Sequence, residues 1–96
     1  MERATIDAWF AILDKRLAEH PLPTRAGGTR TATAGEFMLM DERATEDGRT
    51  IGFKHRLQRN YVFLVACRGA VELYVPVTDR PFMRGFFDVS DFQPMA

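Results

Sequence analysis

The chain has 96 residues, 46% hydrophobic and 27% charged, and its 13 basic and 13 acidic side chains cancel to a formal net charge of zero. That length holds one domain with a modest core, and that balance excludes a disordered chain, a collagen-like repeat and a disulfide-dense scaffold. No apolar run reaches the ~20 residues a membrane-spanning helix needs, no secretory signal is expected, and zero net charge weighs against a nucleic-acid binder.

The first predicted element is a helix over residues 5–19. Ile6, Phe10, Leu13 and Leu17 recur at helical spacing, and Trp9 and Ile12 widen the stripe. Thr5 is the expected N-cap. Asp7 is expected in the first turn, and Lys15 and Arg16 in the last, where they complement the helix dipole. His20-Pro21 ends the helix, because the residue before proline is driven out of the α region. Residues 20–30 follow as a linker, rich in proline and glycine. Gly27-Gly28 between Arg25 and Arg30 invites comparison with a phosphate loop, but the P-loop spacing and the strand before it are missing.

Residues 31–76 read as an antiparallel sheet. The first strand is expected over 31–43, where Phe37 and Leu39 point one way and Met38 and Met40 the other. Asp47-Gly48 is a hairpin signal. The chain returns through 49–57 with Ile51, Phe53 and His55 on one face and Thr50, Gly52, Lys54 and Arg56 on the other. Tyr61–Ala66 is apolar on both faces, as a central strand is. After Arg68-Gly69, Val71, Leu73 and Val75 alternate with Glu72 and Tyr74 up to Pro76. The tail, residues 77–96, carries Phe82, Phe86, Phe87 and Phe92 and is expected to pack on the sheet, with a short fifth strand over 85–89. The fold class is therefore α+β: one N-terminal helix packed on a four- or five-stranded antiparallel meander, closed by a Phe-rich C-terminal tail.

Charge is segregated along the chain. Residues 36–47 hold five acids and one base, and residues 48–68 hold five bases and no acid. Two neighbouring strands of opposite sign predict side chains that pair across a sheet face. Arginine outnumbers lysine eleven to two, which with abundant alanine fits a GC-rich bacterial genome, and the lone Cys67 fits a reducing, cytoplasmic setting.

Catalytic chemistry finds little support. Ser90 is the only serine, and Cys67 follows an apolar strand where a structural thiol is the ordinary reading. His55 is expected to be a strand-end histidine hydrogen-bonded to its surroundings, and His20 a partner of the helix end. The histidines and cysteine match no zinc spacing, and Asp41, Glu42, Glu46 and Asp47 lack the order of a calcium loop, so no metal or other cofactor is expected.

One feature does point to function. A single helix covers one face of a sheet, and the other face mixes Met38, Met40 and Tyr74 with polar groups and half of the central strand. That face is too apolar to be bare. The leading reading is a non-enzymatic module that binds protein and associates with itself as a dimer through Met38, Met40 and Tyr74, away from membranes. The alternative is a single-strand nucleic-acid surface at the basic hairpin, with Lys54, Arg56 and Arg59 beside Tyr61. A small-molecule pocket between helix and sheet, lined by Trp9 and the tail, is the third reading.

Overall fold

The computed structural model describes residues 3–23, 26–45, 48–57, 60–76 and 92–94. The chain divides into two compact units, Met1–Glu36 and Phe37–Ala96. The fold is α+β: among the described residues one α-helix is followed by a five-stranded antiparallel sheet.

In the first unit α1 runs from Arg3 to Glu19. Thr5 therefore lies in its first turn and not at its cap, Asp7 falls beyond that turn, and of the two expected bases only Arg16 stands in the last turn. The helical stripe is as the spacing predicts: Leu13 and Leu17 are fully buried, Ile6, Trp9, Phe10 and Ile12 half-buried, and Asp7, Lys15 and Ala18 exposed. The helix stops where proline stops it, with the His20 N–H donating to the Arg16 carbonyl. The expected linker contains a short antiparallel pair, β1 (Leu22–Pro23) with β2 (Thr29–Arg30). Gly27, at φ +92°, helps the chain to reverse between them in a conformation closed to most side chains.

The first strand of the sheet starts later than the Thr/Ala alternation suggests. Ala34–Glu36 is a 3-10 turn, because carboxylate side chains take up the backbone N–H groups that a strand ladder would use. The Glu36 carboxylate accepts from the Thr33 N–H at 2.8 Å, and Asp14 Oδ1 accepts from the Ala34 N–H at 2.9 Å. Thr33 and Glu36 stand at the capping-box spacing, which explains why the strand waits until Phe37.

The second unit is a meander in the order β3 (Phe37–Thr45), β4 (Gly48–His55), β5 (Tyr61–Cys67), β6 (Ala70–Pro76), β7 (Phe92–Pro94), with every neighbouring pair antiparallel. β5 is central, as its two-sided apolar sequence requires. Arg68 and Gly69, at φ +51° and +83°, form the two-residue turn from β5 to β6 whose twist suits a hairpin. Gly48 opens β4 beside Ala66 of β5, and a Cβ there would stand 1.9 Å from the Ala66 carbonyl oxygen, so the strands meet only because that side chain is absent. Residues 77–91 lie outside the described residues, and with them the strand expected over 85–89 and most of the tail. The fifth strand that is described is β7, paired with β6 through Tyr74↔Pro94 and Pro76↔Phe92.

Candidate functional site

Residues paired across an antiparallel ladder share a face, so the register assigns every side chain. The first face carries Phe37, Ile51, Phe53, Val62, Leu64 and Leu73, all buried, with Leu39, Val71 and Val75 half-buried. His55 closes this face at its far end and is 5% exposed. Its Nδ1 accepts from the Leu57 N–H at 3.1 Å, and its ring meets Phe37 edge-on at 5.3 Å. Through that bond the imidazole holds the turn after β4, the structural role the sequence suggests.

The second face is built differently. Met38, Lys54 and Tyr61 share one row, Asp41, Gly52, Phe63 and Tyr74 the next, and Arg43, Thr50, Val65 and Glu72 a third. Phe63 is fully buried and Tyr61 is 8% exposed, and the half-buried Met40, Val65 and Tyr74 pack around them. Met40 reaches this cluster through a β-bulge. Leu39 pairs with Phe53 and Asp41 with Gly52, which leaves Met40 as the extra residue. Gly52 completes the arrangement: a Cβ there would lie 2.9 Å from Met40 Cε and 3.2 Å from Phe63 Cε1, so the missing side chain is the space Met40 occupies. Beside the bulge, Asp41 Oδ1 accepts from the Glu42 N–H at 2.8 Å.

The bulge also changes which way the later residues of β3 point. Glu42 shares the first face with Ile51 instead of the second, and reaches Arg49 in an ion pair across the hairpin. That pair joins the acidic and basic stretches as the charge pattern predicts, although its exposure leaves it little net energy.

The expected interaction residues Met38, Met40 and Tyr74 all lie on this face, and Met38, 45% exposed, is the most accessible of them. Of the basic-hairpin residues, Lys54 and Arg56 are exposed, Arg59 lies outside the described residues, and Tyr61 is buried in the Phe63 cluster. Stacking a base needs an open ring face, and a ring 8% exposed offers little of one. Cys67 is half-buried at the end of β5. Sequence reasoning missed Phe63 as the centre of the cluster and Gly52 as the socket for Met40. The glycine inside a strand was the available signal, since it marks close approach of another group. The buried Thr50, whose Oγ1 has no hydrogen-bond partner among the described residues, carried no signal at all.

Among the described residues no three histidine, cysteine, aspartate or glutamate side chains converge as a metal site would require, and no helix is long and apolar enough to cross a membrane. Comparison with family models, curated proteins and solved structures finds no match.

Proposed function

We propose that this chain is a non-enzymatic protein-interaction module whose first partner is a second copy of itself, docked on the second sheet face. The observation that carries this reading is the apolar cluster around Phe63: it surfaces through half-buried Met40, Val65 and Tyr74 and continues to Met38, which is 45% exposed. Methionine and aromatic side chains are the types enriched at interface centres, and a two-fold dimer buries one self-complementary patch twice.

Light scattering of the parent and of the M40K/Y74K variant tests the reading. The parent is expected to be a dimer at high micromolar concentration and the variant a folded monomer. A variant that is dimeric like the parent would move the interface elsewhere.

A further inference from the structure

Among the described residues the second face carries, besides its apolar centre, four charged side chains, Lys54 and Arg43 with Asp41 and Glu72. Lys54 and Glu72 are both exposed, and among the described residues neither takes part in an ion pair. Their placement is not arbitrary. Lys54 on β4 pairs with Tyr61 of β5, and Glu72 on β6 pairs with Val65 of β5. Phe63 lies midway between Tyr61 and Val65, on the strand midway between β4 and β6. The two opposite charges are thus disposed symmetrically about the centre of the apolar cluster.

Ordinary sheet spacings put them about 10 Å apart across the strands and about 13 Å apart along them. No Lys54 reaches the Glu72 of its own chain over that separation. A second copy changes this. A two-fold axis lying between two stacked faces, passing over Phe63 and running across the Lys54–Glu72 diagonal, carries each of these positions onto the other. From this symmetry we infer that the copies pair about such an axis, with Lys54 of each chain set against the partner's Glu72 and the two apolar clusters between them. The pairing rests on the self-association proposed above and adds its geometry. The half-buried Met40, Val65 and Tyr74 make the apolar contact, and the two identical ion pairs fix the rotation of one face on the other, which is what charges at an interface rim do best.

The experiment uses two single variants, K54E and E72K, in the full chain. Both positions are exposed, and urea midpoints near the parent's confirm that each variant folds. In K54E each symmetric pair becomes two carboxylates, and in E72K two cations, so each variant alone should dimerise more than about tenfold more weakly than the parent. Mixed one to one, they should associate again, because the new Glu at 54 then meets the new Lys at 72 while the original Glu72 meets the original Lys54. Sedimentation of the parent, the two variants and the mixture reads all of this. Variants that dimerise as tightly as the parent, or a mixture no tighter than either variant alone, would overturn the pairing while leaving self-association standing. A parent that stays monomeric at high micromolar concentration would overturn both.

Discussion

The two faces of the five-stranded sheet come from the same strands and differ in what their residues can do. On the first face, buried Phe37, Ile51, Phe53, Leu64 and Leu73 form the centre, the charged Glu42 and Arg49 pair with each other toward the hairpin, and His55 at the opposite end has its Nδ1 satisfied by a backbone N–H. The second face has a buried centre, Phe63 with Tyr61, but surrounds it with half-buried methionine and tyrosine and with charges of both signs. A face of the first kind is spent on stability. One of the second kind keeps apolar area and charge accessible, and the proposed self-association rests on that composition.

Truncation is the hardest test of that contrast. Phe53 is fully buried on the first face, so Phe53→Ala should cost about 3–5 kcal/mol in urea unfolding. Met40→Ala on the second face, where the side chain is only half-buried, should cost about 1 kcal/mol or less beyond any effect on association. Similar costs at the two positions would erase the distinction.

Thr50 sharpens the contrast from the other side. Its hydroxyl is buried on the second face without a partner among the described residues, and burying such a group costs free energy. Thr50→Val keeps the shape and removes that cost, so the urea midpoint should rise by the equivalent of about 1 kcal/mol. A drop of that size would show that the hydroxyl has a partner after all.

The smallest effect is expected at Gly52. A methyl there meets the far end of Met40, which moves cheaply, and the Phe63 ring, which must shift by a few tenths of an ångström. Relief of the glycine's unfolded-state entropy offsets part of this, so Gly52→Ala should change stability by less than about 1 kcal/mol. It should nonetheless weaken self-association, because Met40 is displaced from its socket. Unchanged association would mean that the position of Met40 does not matter to the partner.

The side-chain alternation of the sheet was legible in the sequence because a period of two needs no knowledge of tertiary contacts. Phe37, Leu39, Ile51, Phe53, Val71, Leu73 and Val75 share one face as their spacing predicts, and the two-sided apolar run Tyr61–Ala66 is the central strand. Two features escaped for physical reasons. The bulge at Met40 inserts one residue into an otherwise regular alternation, so it sends Glu42 to the other face without changing the composition. The 3-10 turn at Ala34–Glu36 is fixed by carboxylates from Glu36 and the distant Asp14, and strand propensity cannot anticipate those bonds. For the candidate site, Met38, Met40 and Tyr74 could be placed on one face from sequence, whereas the burial of Tyr61 beside Phe63 depends on cross-strand packing that only the register reveals.

The central claim is that the second face takes a second copy of this chain. Sedimentation equilibrium of the parent protein, from low to high micromolar concentration, tests it most directly. The expected result is a mass that rises with concentration from that of the 11.0 kDa chain toward twice that value. A single 11.0 kDa species at every concentration would show that the face is satisfied within one chain, and would contradict the account.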